Sequence, residues 1–363
     1  MSKWISAALS ALVAASTLQA TAQVPNSRHV FVIMLENEGY ATTFGPNSAA
    51  PYLANTLTGM GQLLTNYYGI GHNSNDNYLA MISGQAPNSE TQSDCQVYTD
   101  FTGAGIFAPY GQLVGQGCVY PNSLETLPNQ LEVRGYTWRG YMEDMPSACS
   151  HPALNTVDTT QKATPTNAYA VRHNPFVYFH SILDTPSCAA NDVPLTSLQQ
   201  DLQSVATTPN FSYIVPNLCH DGHDSPCADG EPGGLVSADA WLQRQVPAIL
   251  SSPAYKQDGI LIVTFDEASF GASSSSDSTA CCNEQPGPNS PLPGITGSGG
   301  GRVGAVVISR FVKPGTRNAN PYNHYSFLKS IETIFGLPYL GFASPSDVPV
   351  FGADVFSRGT AKH

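Results

Sequence analysis

The chain has 363 residues, 41% of them hydrophobic, which is ample for a large core. Charged residues make up only 12%, the formal net charge is −12, and the 15 Lys and Arg form no basic run. That balance argues against nucleic acid or an anionic membrane as a standing partner.

The first 22 residues read as a cleavable leader. Lys3 precedes an apolar run from Ile5 to Leu18, and Ala20-Thr21-Ala22 forms a small-x-small cleavage site before Gln23. The expectation is export with a cut after Ala22, to a secreted or periplasmic location, leaving one domain over residues 23–363. No later window approaches the ~18 apolar residues of a membrane span, so no transmembrane anchor is expected.

His29 to Leu35 is a nearly continuous apolar run, the pattern of a strand buried on both faces. It ends in Glu36-Asn37, and open α/β sheets build their sites at the carboxyl ends of central strands. Pro51 to Leu57 has helical spacing, closed by Gly59 and Gly61, and Gln62 to Tyr68 reads as a second strand. Gly71-His72-Asn73-Ser74-Asn75-Asp76-Asn77 then runs into Tyr78, Leu79, Met81 and Ile82: a polar loop feeding a helix. A serine at such a helix start is either a cap or a nucleophile meeting an anion at the positive end of the helix. Residues 84–121 hold no period and read as a loop tied by Cys95 and Cys118.

Ser123 to Val133 is expected to be helical and Tyr136 to Met142 a strand, ending in Glu143-Asp144. Those two acids before Pro146 read better as a solvated turn than as a metal site. Arg172-His173-Asn174-Pro175 marks a turn from which His173 could reach a phosphate. Phe211 to Val215 is the next buried strand, and it leads into Cys219-His220-Asp221-Gly222-His223-Asp224-Ser225-Pro226-Cys227. Imidazole and carboxylate at this density suit a divalent metal. The eight cysteines all follow the leader, an even number that argues for up to four disulfides, with Cys219–Cys227 the favoured pair.

Ser237 to Leu250 reads as a helix, and Gly259 to Phe265 is a strand ending in Asp266-Glu267, repeating the apolar-run-then-carboxylate pattern of the first strand. Ser269 to Gly301 is one long loop, Val303 to Ile308 a further strand, and Asn323-His324-Tyr325-Ser326 opens a helix closed by Gly336. The alternation implies an α/β fold with a central, mostly parallel sheet flanked by helices. On one parallel sheet, Glu36, Asn37, Ser74, the His220–Asp224 cluster and Asp266-Glu267 converge on one edge, with His324 nearby. An alcohol, carboxylates and imidazoles together suggest metal-assisted attack on phosphorus. The convergence favours Ser74 as nucleophile, with capping left to Asn75 or Asp76.

These motifs also carry a resemblance. Val32-Ile33-Met34-Leu35-Glu36-Asn37, His72-Asn73-Ser74 with Asn77-Tyr78 and Ile82-Ser83-Gly84, His173-Asn174-Pro175-Phe176, Asp221-Gly222-His223-Asp224, Thr264-Phe265-Asp266-Glu267 and Asn323-His324-Tyr325-Ser326 span nearly the whole mature chain. The sequence resembles the bacterial acid phosphatase / phospholipase C phosphoesterase family of the alkaline phosphatase-like superfamily. The resemblance implies a small phosphorylated substrate, Ser74 as the phosphorylated nucleophile, and one or two divalent metal ions. It implies Glu36, Asn37, Ser74, Asp266 and Glu267 around the metal and Asn77 on a phosphate oxygen. Asp221, His223 and His324 would fall at a second metal, or the histidines, His173 and His220 included, would touch phosphate and supply a leaving-group acid. Glu38-Gly39-Tyr40 departs from the basic or small residue the family often has after the Glu-Asn pair. The chain is short for the phospholipase branch, which favours monoester over diester cleavage. A third reading is an inactive secreted binding protein on the same scaffold.

Overall fold

A computed structural model of the chain describes residues 24–357, apart from 104, 271–275 and 296. The leader read over residues 1–22 lies outside the described residues. Eight strands form the main sheet: β1 (Val30–Leu35), β2 (Gln62–Tyr68), β3 (Trp138–Met142), β4 (Asp192–Pro194), β5 (Phe211–Val215), β6 (Ile260–Phe265), β7 (Ala305–Ser309) and β8 (Thr316–Asn323). Their order across the sheet is β8-β2-β7-β6-β1-β5-β3-β4. β4, β3, β5, β1 and β6 pair in parallel. β7 is antiparallel to both its neighbours, β6 and β2, and β8 pairs in parallel with β2. Seven strands therefore share one direction and β7 alone opposes them.

Every residue of β1, β5, β6 and β7 is buried, as their continuous Val/Ile/Leu/Phe runs require of strands covered on both faces. The register sets Leu35 of β1 beside Phe265 of β6. The residues that follow, Glu36 and Asp266, therefore emerge side by side at the carboxyl edge. β2 and β8 end in register at Tyr68 and Asn323, so their chains leave the sheet at that same edge. Helix α1 (Ser74–Ser83) follows β2, and α4 (His324–Phe335) follows β8 and packs against α1. Between them in sequence lie α2 (Leu127–Val133) and α3 (Gly234–Ser251). All of α1 is buried, so it is a central element and not a surface helix.

The sequence reading of strands is close for β1, β2, β3, β5, β6 and β7. The helix expected from Ser123 begins at Leu127, because Thr126 accepts from the Asn129 backbone N–H and fixes the start there. The helix expected over Pro51–Leu57 forms as a π-helical segment, Tyr52–Leu57, running into a short α-turn. Four disulfides close the structure: Cys95–Cys118, Cys149–Cys188, Cys219–Cys227 and the adjacent pair Cys281–Cys282. The first and third match the expected pairs. Among the described residues no helix is long and apolar enough to cross a membrane.

Candidate active site

The carboxyl edge of the sheet opens onto a cleft of about 380 Å³ whose lining includes Asn37, Asn73, Ser74, Asp94, His223, Glu267 and Phe270. Ser74 occupies the first turn of α1, and its Oγ donates to Glu36 Oε2 at 2.7 Å. The other oxygen of Glu36 accepts from the Tyr78 hydroxyl at 2.6 Å. Burial, then the neighbouring charges of Asp266 and Asp221, push the Glu36 carboxyl well above its ordinary range, while the bonds from Tyr78 and Ser74 pull the other way. Ser74 is thus held by its own hydrogen bond at the N-terminal end of α1, the positive end of the helix dipole.

That helix is not capped as the sequence suggested. Neither Asn75 nor Asp76 supplies the cap: Asn73 stands at the N-cap position with no side-chain bond to the helix. Asp94 caps it from a distant loop, accepting from the Asn75 N–H at 3.0 Å. The Asn75 amide donates to the Arg172 carbonyl, and the Arg172 guanidinium lies 3.7 Å from Asp94. Asp94 and Asn73 line the cleft and were missed by the sequence reading. Asp94 lies within an aperiodic loop, where no pattern marks one acid over another.

At the exit of β1, Asn37 adopts φ 56°, a left-handed conformation that Asn tolerates better than most residues. The bend points its N–H at Asp266 Oδ1 at 3.0 Å, and the Glu267 N–H donates to the same oxygen at 2.6 Å. Asp266 Oδ2 is buried with no partner. Burial raises Asp266 to about 6, and burial with the Asp266 charge raises Glu267 well above the carboxylate range.

The His/Asp loop divides three ways. Asp221 turns inward, fully buried, with Oδ2 unpartnered and burial lifting its carboxyl to about 7. Gly222 follows at φ +110°, where a Cβ would come within 2.9 Å of the Glu36 carbonyl; this turn sends the next residue into the cleft. His223 is that residue, with Nδ1 2.8 Å from Asp224 Oδ1. Partial burial alone would lower its pKa, but Asp224 and Asp221 outweigh it and leave the imidazole raised. His220 points elsewhere: Nδ1 meets Glu143 at 3.0 Å and Nε2 lies 3.6 Å from Glu231. Both nitrogens of His220, expected to contact substrate, face Glu143 and Glu231, which do not line the cleft.

His173 is buried between two of the carboxylates, Nε2 3.4 Å from Glu36 and Nδ1 3.5 Å from Asp221, and stacks on the Tyr78 ring at 5.2 Å. Burial, then Arg172 and His223, depress its pKa well below the usual value, so the imidazole is neutral and these are not ion pairs. It joins the carboxylate cluster and is not among the residues that line the cleft, where a phosphate contact was expected of it. Asn77, expected on a phosphate oxygen, is engaged by its own loop. Its side-chain oxygen accepts from the Ile70 and Gly71 N–H groups, and its amide donates to the Gly71 carbonyl and Glu267. It ties the Ser74 loop to Glu267. His324 is fully buried, with Nε2 at 2.5 Å from the Asp266 carbonyl and Nδ1 at 2.9 Å from the Tyr67 hydroxyl. The carbonyl can only accept, so Nε2 carries the proton and Nδ1 accepts from Tyr67. Burial lowers His324 to about 4. It stands behind Asp266 and is not among the residues that line the cleft, where a catalytic acid was expected of it.

Among the described residues, the potential metal ligands gathered within 4.8 Å of one another are Cys219, His220 and Glu231, and Cys219, Cys227 and Asp229. Both sets depend on sulfurs consumed by the Cys219–Cys227 disulfide, so neither is a metal centre. The wider set at the sheet edge has better chemistry. Asp221 Oδ2, Asp266 Oδ2 and both His173 nitrogens are buried without hydrogen-bond partners, a cost that a bound divalent cation would remove. Carboxylates, an amide and a neutral imidazole are suitable ligands for one.

Sequence and structure comparisons agree with this geometry. The model of the phosphoesterase family matches residues 47–338. The chain belongs to the phosphoesterase family. It is a hydrolase of phosphoric ester bonds. The chain is 28% identical over 344 residues to a phosphatidylinositol-3-phosphatase of Mycobacterium tuberculosis, covering 95% of this chain and 87% of that one. It is 24% identical to a probable acid phosphatase of Kluyveromyces lactis, covering 93% and 66% respectively. For an acid phosphatase of Aspergillus fumigatus the identity is 23%, and the chain spans 60% of that relative's length. The crystal structure of Ps i-CgsB shares the fold, with a TM-score of 0.51 at 12% identity over 91% of this chain and 76% of that one.

Proposed function

We propose that the chain is an exported, metal-dependent phosphomonoesterase of the acid phosphatase type, acting through a phosphoseryl intermediate on Ser74 and carried by one domain over residues 23–363. The observation that carries this reading is the Ser74 hydroxyl, presented at the head of a buried helix and bonded at 2.7 Å to a buried carboxylate, at the wall of a polar cleft. In the first step Ser74 Oγ attacks phosphorus, its proton passing to Glu36 as the O–P bond forms. The bond to the leaving alcohol breaks, and His223, charged and held by Asp224, gives that oxygen a proton. A water then attacks the phosphoseryl group with His223 as base; the Oγ–P bond breaks and Glu36 returns its proton to Oγ, releasing phosphate and restoring the Ser74 hydroxyl. The helix N-terminus and the Asn73 side of the cleft face the phosphoryl oxygens. Glu36, Asn37, Ser74, Asp221, Asp266 and Glu267, with His173 behind them, would hold a divalent cation, which when bound supplies charge neutralisation at the phosphate and a lower pKa for the serine.

The names of the relatives, acid phosphatase and phosphatidylinositol-3-phosphatase, support the reaction class. Among the described lining residues Phe270 is the one large apolar side chain, which favours a compact monoester over a phospholipid diester with its acyl chains. Four disulfides support an oxidising destination. The deciding experiment is acid quench of the protein during turnover of p-nitrophenyl phosphate, followed by peptide mass spectrometry. A phosphoryl mass on the Ser74 peptide is expected, and Ser74→Ala should lose both this adduct and at least about a thousandfold in rate. A Ser74→Ala protein that keeps its activity would refute the mechanism.

A further inference from the structure

A second cavity, of about 300 Å³, lies between the loop after β6 and the segment that follows α4. Its walls carry three aromatic rings. Phe342 packs edge-on to Tyr325 at 5.6 Å and meets Tyr110 at 6.0 Å. Glu284 and Asn323 line the cavity with them, and Asp347 stands at the rim, held by Asn283 at 2.8 Å. Both carboxylate oxygens of Glu284 are buried without a well-formed hydrogen bond; burial holds the carboxyl well above its usual range, and the neighbouring Asn323 side chain only partly offsets this. No Lys or Arg lines the cavity among the described residues. The nearby Lys329 instead donates to the Pro345 carbonyl and rests 5.1 Å over the Tyr339 ring.

A buried carboxylate and a set of π faces, with no Lys or Arg beside them, suit a positive charge. The faces decide which kind. A hard divalent ion needs six or more oxygen ligands, whereas this cavity offers rings, Pro345 and Val348 over much of its wall. A quaternary ammonium has a diffuse charge and apolar methyl groups, which aromatic faces and one buried carboxylate match. We propose that this cavity binds a small quaternary ammonium ion, seated among Tyr110, Tyr325 and Phe342 with Glu284 as its counter-ion. The site is separate from the phosphoesterase cleft and does not depend on the mechanism assigned to Ser74.

The test is calorimetric titration of the full chain with choline chloride, and with 3,3-dimethylbutan-1-ol, which replaces the ammonium by a neutral carbon of the same shape. One choline per chain is expected, with the neutral alcohol at least about tenfold weaker. Glu284→Gln should weaken choline by about tenfold or more and Tyr110→Ala by several-fold, while Ser74→Ala leaves it unchanged. Tyr110 is half-exposed, so its variant carries the test if Glu284→Gln fails to fold. No choline binding at about 10 mM, equal binding of the neutral alcohol, or choline binding indifferent to Tyr110→Ala would each overturn the proposal. So would displacement of choline by calcium with calcium uptake lost in Glu284→Gln, which would make this a metal site.

Discussion

Tyr78→Phe separates a role in the chemistry from a role in packing. The hydroxyl donates to Glu36 at 2.6 Å inside the cluster, while the ring stacks on His173 at 5.2 Å. Phenylalanine keeps the stack and deletes one bond to a buried carboxylate, an interaction of about 1.5–3 kcal/mol. If that bond holds Glu36 in the state that accepts the Ser74 proton, kcat/KM for p-nitrophenyl phosphate falls by about tenfold to a hundredfold. The sign of the pH effect follows from the same bond. It favours the ionised carboxyl and so lowers the Glu36 pKa. Without it the pKa rises, ionisation requires a higher pH, and the acid limb of the pH–rate profile moves toward neutrality. Steady-state kinetics between pH 4 and 8 read both effects (~4–8 spans the carboxylate and imidazole range). A variant within about twofold of the parent, with its acid limb unmoved, would refute the reasoning.

His223→Asn should slow hydrolysis of alkyl phosphates by about a hundredfold or more and of p-nitrophenyl phosphate far less, because only the poor leaving group needs the proton; equal losses on both substrates would count against an acid role. His324→Ala should lower stability by about 2–4 kcal/mol in urea unfolding, since it removes a buried group bonded at both nitrogens; an unchanged midpoint would return His324 to the candidates for catalysis. His324 also makes stability depend on pH. Its folded pKa of about 4 lies below the unfolded ~6.5, so its contribution is complete above pH ~6.5 and is lost as pH falls toward 4, and Tyr67→Phe should weaken the same strut. Chelation with EDTA should lower the melting temperature more at pH 7.5 than at pH 5. Asp221 and Asp266, raised to about 7 and 6 when no cation is present, take up protons in its place at low pH, and a pH-independent shift would argue against a cation on these oxygens (~7.5 and 5 bracket both values).

Much of this architecture is legible in the sequence because its signals are simple. β1 and β6 are unbroken apolar runs that end in Glu36-Asn37 and Asp266-Glu267, so both the strands and the edge where they meet can be read directly. β8 is not legible. Its sequence, Thr-Arg-Asn-Ala-Asn-Pro-Tyr-Asn, is polar and shifts register between Asn318 and Pro321, as an edge strand can afford to. The aromatic run of 176–179 has strand composition yet forms a 3₁₀ turn from Pro175 to Tyr178. Sequence also gives residue type without side-chain direction. His220, Asp221 and His223 look equivalent in the chain and point to three different places. His324 looks catalytic until Tyr67, 257 positions away, is found at its Nδ1. Asn77 and Tyr78 reverse their expected parts: the amide is spent on its own loop, and the residue assigned to the apolar face holds the carboxylate beside the serine.

The reversed direction of β7 has a consequence for how such enzymes diverge. Because β6 and β7 form an antiparallel pair, the segment between them leaves and re-enters the sheet at one edge and never has to cross beneath it. It contributes Phe270 to the reaction cleft and residues 282–285 to the aromatic cavity. A hairpin insert of this kind can be lengthened, shortened or exchanged without disturbing the register of the strands that carry Glu36 and Asp266. Grafting the part of this segment beyond Glu267 from a relative should therefore change substrate preference and ammonium binding together, with Glu36, Asp266 and Glu267 left in place.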